Sequence, residues 1–91
     1  PVEKKMVLEA KIFSNDTLKA NTGISGFGYD IYRDKALYIH QPNIPAVPGY
    51  KGFRSPDDAL KVASVMQYKI QENILPPSIS IAELDSLGVG R

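Results

Sequence analysis

The sequence predicts a small α+β domain spanning 1–91. Its expected architecture is a three-stranded antiparallel sheet in the order β-β-β-α, with one main helix on one face and a short C-terminal helix. Three observations predict it. Met6 to Phe13 alternates apolar and polar residues with a period of two. Two further alternating runs flank Arg33-Asp34-Lys35 as a hairpin would. From Pro56 onward the apolar residues switch to helical spacing behind a strong N-terminal cap.

In the first strand Met6, Leu8, Ala10 and Ile12 form the set expected to face the core. Val7, Glu9, Lys11 and Phe13 form the other. Ser14 to Ser25 is polar and reads as a wide loop, with Leu18 and Ile24 available to pin it to the body. Phe27 to Tyr32 and Ala36 to Gln41 then make the hairpin. A two-residue turn at Asp34-Lys35 would mix apolar and polar residues on each face. A three-residue turn sets Ile31 opposite Leu37 and Tyr29 opposite Ile39, with Phe27, Tyr29, Ile31, Leu37 and Ile39 on the core side. Because a one-residue slip exchanges the two faces, hydrophobic consistency favours the three-residue turn, with Lys35 at the positive-φ position.

The main helix opens with Ser55 as N-cap, Pro56 in the first turn and Asp57 and Asp58 at the positive end of the helix dipole. Ser55 and Asp58 resemble a capping box with a shortened acid. Ala59, Val62, Ala63, Met66 and Ile70 make one apolar stripe, in which the two alanines allow close approach to the sheet. Pro76-Pro77 ends this helix by Leu75. Ser80 and Glu83 have capping-box spacing and Gly88 is placed as a stop, so a short helix is expected before a fraying tail.

Composition excludes several functions. The chain has 91 residues, a net charge of +1 and no cysteine. Disulfides, thiolate catalysis and cysteine zinc sites are therefore ruled out. No apolar run approaches the roughly 20 residues that span a bilayer. Lys4, Lys5, Lys11 and Lys19 are interleaved with acids, so no nucleic-acid partner is expected. The chain begins at Pro1 rather than Met, which leads us to expect a processed or trimmed product, with room upstream for a signal peptide or a lipid-anchor cysteine.

The run GFGYDIY at 26–32, YIHQPNIPAVPG at 38–49 and the pattern GF-x-S-x-x-DAL-x-VA from Gly52 resemble a domain-of-unknown-function family of small exported proteins, often lipoproteins, from Bacteroidetes gut anaerobes. The similarity covers 26–77 and extends more loosely to Leu84. Members usually carry Gly in the hairpin turn where this chain has Lys35. The resemblance implies export to the periplasm or outer membrane and a small α+β domain, and it brings no activity, ligand or catalytic residue.

Chemistry-bearing residues are few. His40 is the only histidine, and with Asp30 and Gln41 nearby it falls short of a metal ligand set. Asp30 and His40 could serve as an acid/base pair, but no nucleophile is tied to them by a motif. Gly26 and Gly28 precede a strand and lack the third glycine of a nucleotide loop, so close packing of backbone or ring is the expected reason for them. No cofactor and no metal are expected.

Two surfaces remain. Pro42, Pro45 and Pro48 recur every third residue, which suits polyproline II geometry, with Ile44, Val47 and Tyr50 along one side. The favoured reading is nevertheless a structural crossover in which Ile44 and Val47 cover an end of the core, because a long connector in a small domain must bury something. The second surface is the sheet face away from the helix, carrying Asp30, Tyr32, Tyr38 and His40, with Tyr50 on the adjoining loop. It suits protein contact, self-association or sugar stacking, and its alternative is cross-strand stabilisation of an exposed hairpin. Three function classes follow: a non-catalytic interaction module of the cell envelope, a glycan-binding or accessory protein, and a small enzyme centred on Asp30 and His40. The first is favoured.

Overall fold

The structure is a computed structural model and describes residues 6–15, 25–49 and 51–90. The chain runs β1 (Leu8–Ser14), β2 (Phe27–Arg33), β3 (Ala36–Gln41), α1 (Pro56–Gln71) and α2 (Ile81–Leu87). The strands form one antiparallel sheet in the order β1-β2-β3, and α1 packs across β1 and β2. This is the α+β architecture that the sequence predicts. Leu18 and Ile24 lie outside the described residues.

The faces are assigned as expected in β1 and β2. Tyr29 and Ile31 are fully buried, and Met6, Leu8, Ala10, Ile12 and Phe27 pack against the same core. Burial pushes the Tyr29 hydroxyl well above the usual tyrosine range. It lies in the core with its ring 6.0 Å from that of Phe53.

The hairpin register differs from expectation. Arg33 pairs with Ala36 and Tyr32 with Leu37, so the turn is the two-residue loop Asp34-Lys35. Both residues adopt positive φ, 50° and 73°, as a type I′ turn requires. A bulge then makes Tyr38 an extra residue, and beyond it Ile31 pairs with Ile39, Asp30 with His40 and Tyr29 with Gln41. The two-residue turn would misface the hairpin only if the strands were regular; the bulge restores the alternation. Leu37 consequently leaves the core and is exposed, while Ile39 stays packed against it. The turn is held from β1 by Asp34, whose amide donates to the Val7 carbonyl (2.8 Å) and whose carboxylate accepts from the Val7 amide (3.1 Å).

Both helices begin where their caps lie. The Asp58 amide donates to Ser55 Oγ at 3.1 Å. The return half of a capping box is missing, because the Asp58 carboxylate instead accepts the Gly90 amide at 3.2 Å. The stripe Ala59, Val62, Ala63, Met66 and Ile70 is buried. In α2 the box is complete: the Glu83 amide donates to Ser80 Oγ (3.1 Å) and the Ser80 amide donates to the Glu83 carboxylate (3.0 Å), with Gly88 left-handed at the end. Lys69 ties α2 to α1 through Glu83 at 2.8 Å. Val89 and Gly90 do not fray as expected. Val89 is buried beside Leu84, and the Gly90–Asp58 bond holds it down.

The segment from Gln41 to Phe53 is a folded crossover. Ala46 and Gly49 have φ of 69° and 88°, which breaks a polyproline II path. Ile44 is fully buried and Val47 packs against the core, while the Ile44 amide donates to the Lys51 carbonyl at 2.8 Å and closes the loop. Phe53 then pairs with Phe27 beside β2 before α1 begins. Asn15, the one buried polar residue among those described, donates to the Pro42 carbonyl at 2.9 Å and joins the end of β1 to the start of this crossover.

Candidate functional site

Helix α1 covers one face of the sheet, with α2 packed against it. No described helix or strand packs on the other, where the side-chain contacts fall into two groups. The direct pairing of Asp30 with His40 brings the Asp30 carboxylate to within 2.5 Å of His40 Nδ1. His40 is about half exposed, and Asp30 is more enclosed. Phe13, from β1, stacks on the face of the His40 ring. Its ring is 5.1 Å from the imidazole and inclined to it by only 9°.

Phe13 and His40 stand on strands that are not neighbours. Gly28, the β2 partner of Phe13, makes their contact possible. A Cβ at position 28 would lie 2.6 Å from Phe13 Cζ, 2.5 Å from the Gln41 carbonyl oxygen and 2.8 Å from Pro42 Cα. The absence of a side chain lets the phenyl ring lie across β2 and reach the imidazole. Gly28 thus serves close ring packing, as expected. Gly26 similarly admits the Phe53 carbonyl.

The second group lies toward the hairpin turn. Lys11 places its ammonium 5.0 Å from the centre of the Tyr32 ring, and it also stands 3.7 Å from Glu9. Arg33 places its guanidinium carbon 5.7 Å from the centre of the Tyr38 ring. Such placements attract a cation to the negative face of an aromatic ring. Among the described residues the ring pairs are Phe13–His40 and Tyr29–Phe53, so Tyr32 and Tyr38 do not stack on each other.

The structure therefore joins Asp30 to His40 and leaves Tyr32 and Tyr38 each beside a cation. Tyr38 takes its position from the bulge, which strict alternation does not anticipate. Tyr50 lies outside the described residues. Phe13 and Lys11 were not singled out, although the two-residue period put both on the non-core face of β1. The missing signal was the cross-sheet reach that Gly28 permits.

Chemically this surface offers rings, amide edges and balanced charge. Among the described residues no group of three or more His, Asp or Glu side chains converges to hold a metal ion. No described helix is long and apolar enough to cross a membrane.

A small α+β domain with one sheet face left uncovered by its helices is thus the class that fold and surface define. A family model for a domain of unknown function, DUF4907, matches residues 18–86, and the chain belongs to that family. No curated protein and no solved structure matches it.

Proposed function

We propose that this protein is a small, non-catalytic interaction module of the cell envelope and that it binds a protein partner through the open sheet face. The contact residues are Asp30, Tyr32, Tyr38 and His40 together with Phe13 and Lys11. The supporting observation is the Phe13–His40–Asp30 arrangement. It fixes two rings and a carboxylate on a face that the core does not use, at the expense of a side chain at Gly28. Preset rings lose little conformational freedom on binding, and Tyr combines a large contact area with a polar tip.

Export to the periplasm or outer membrane, by way of a lipid anchor upstream, belongs to the same reading. It rests on the resemblance of residues 26–77 to small exported proteins of Bacteroidetes.

The test is capture from envelope extracts on the immobilised chain, compared with a Tyr38→Ala variant whose melting is followed in parallel. A specific partner retained by the native chain and lost by the folded variant supports the reading. Equal capture by both removes the sheet face from it. Saturable quenching of tyrosine fluorescence by oligosaccharides, with no protein captured, would favour the glycan-binding alternative.

A further inference from the structure

Among the described strands β1 lies at an edge of the sheet, and the hydrogen-bond parity of its ladder shows which of its groups face outward. The Asp34 amide donates to the Val7 carbonyl (2.8 Å) and the Asn15 amide to the Gly26 carbonyl (2.9 Å), so the odd-numbered residues of β1 bond to β2. The amides and carbonyls of Leu8, Ala10 and Ile12 therefore point to the open edge. The opposite edge of the sheet is blunted by the Tyr38 bulge and ends at Pro42. β1 itself carries neither bulge nor proline: its pairing with β2 is regular over all seven residues.

The charges on β1 are self-complementary. Its two charged residues, Glu9 and Lys11, flank Ala10 symmetrically on the outward face, and both are well exposed. We propose that β1 pairs antiparallel with β1 of a second copy of this chain, about a two-fold axis at Ala10. In that register Leu8 bonds the partner's Ile12 and Ala10 bonds the partner's Ala10, so the outward-pointing backbone groups meet. Glu9 stands opposite the partner's Lys11, and Lys11 opposite the partner's Glu9. Exposed Val7 meets the partner's Phe13.

The neighbouring registers are worse on charge. A two-fold at Glu9 opposes two glutamates, and one at Lys11 opposes two lysines; like charges directly opposite destabilise a ladder. Axes at Leu8 or Ile12 leave a charge against an apolar side chain. The two-fold at Ala10 thus satisfies both backbone and charge. Beside the same edge runs a groove lined by Met6, Val7, Leu8, Ser64 and exposed Tyr68. Pairing at Ala10 brings the partner's Ile12 and Ser14 alongside Leu8 and Met6 at its rim. The result is a six-stranded sheet on which the open faces of both copies are continuous. The proposal does not depend on what that face binds.

The experiment is sedimentation equilibrium of the full chain with two single variants, Lys11→Glu and Glu9→Lys, whose folding is confirmed by circular dichroism. The native chain should dimerise. Each variant alone turns both cross-strand pairs into like-charge pairs and should dimerise at least about tenfold more weakly. An equimolar mixture of the two variants restores every opposite-charge pair and should form a heterodimer. The double swap Glu9→Lys/Lys11→Glu should dimerise like the native chain, and it keeps the test decisive where a single variant folds poorly. A native chain that stays monomeric, single variants that dimerise as well as the native chain, or a double swap or mixture that fails to restore the dimer would each overturn the proposal.

Discussion

Phe13 and His40 stack across the full width of the sheet, their centroids 5.1 Å apart and their planes 9° from parallel, although β2 runs between their strands. Phe13 spans the gap only because its partner on β2 is Gly28. This contact ties β1, β2 and β3 together on the face that the helices leave open.

Gly28→Ala is accordingly expected to be costly. The added methyl group meets the ring of Phe13 and, at 2.5 Å and 2.8 Å, backbone atoms of Gln41 and Pro42 that cannot swing aside. Overpacking of this kind costs about 1–3 kcal/mol. Phe13→Ala added to Gly28→Ala should recover only part of the loss, since the backbone clash remains. Urea denaturation of the single and double variants measures both.

The hairpin turn offers a gain in stability. Lys35 holds a φ of 73°, where a side chain is strained and Gly is at ease. Lys35→Gly makes the Asp-Gly pair that type I′ turns prefer. It should stabilise the fold by about 0.5–1 kcal/mol, part of the relieved strain being offset by the greater freedom of Gly in the unfolded chain. A rise in the chemical denaturation midpoint with an unchanged slope would record it.

Met66 lies at the centre of the helix stripe with 4% exposure. Truncation to Ala leaves a cavity beneath α1 and should cost about 2–5 kcal/mol. Thermal and urea melts of Met66→Ala give the value.

The tie between the helices is pH-sensitive. Lys69, followed by the Ser80 backbone, holds the Glu83 carboxyl below its ordinary value. A carboxylate lowered on folding adds stability above its unfolded pKa and loses that contribution as the pH falls through its folded one. The Glu83 contribution should therefore be present at neutral pH and fade below about pH 4. Glu83→Gln should melt earlier than the native chain at pH 7, and the gap should close in acid. A gap that is constant across pH would mean that the ion pair is not its source.

Much of this fold was legible in the sequence because its signals are local. Ser55, Ser80, Glu83 and Gly88 mark helix ends through hydrogen bonds made within a few residues. The alternation of β1 and β2 separates faces without knowledge of the partner strand. The hairpin register was not legible, because a two-residue turn and a compensating bulge at Tyr38 leave the same alternation in β2 that a three-residue turn would. The crossover was legible in outline, since a long connector must bury something and Ile44 and Val47 were the residues to do it; its exact path, with positive φ at Ala46 and Gly49, was not. The candidate surface was half legible: Asp30 and His40 could be placed on one face, but the Phe13 stack depends on a gap that Gly28 leaves between strands far apart in sequence.

The central claim is that the open sheet face binds a partner, and Tyr38 tests it most directly. Tyr38 is exposed, and the Arg33 guanidinium stands over its ring. Truncation to Ala should therefore cost only about 1 kcal/mol of stability. The same change should weaken partner association by about 2 kcal/mol, as buried interface tyrosines often do. Paired thermal melting and association measurements on Tyr38→Ala decide between the two roles. A nearly unchanged melt with association weakened more than tenfold is the predicted result. A collapsed melt with association intact in the folded fraction would show the face to be structural and contradict the account.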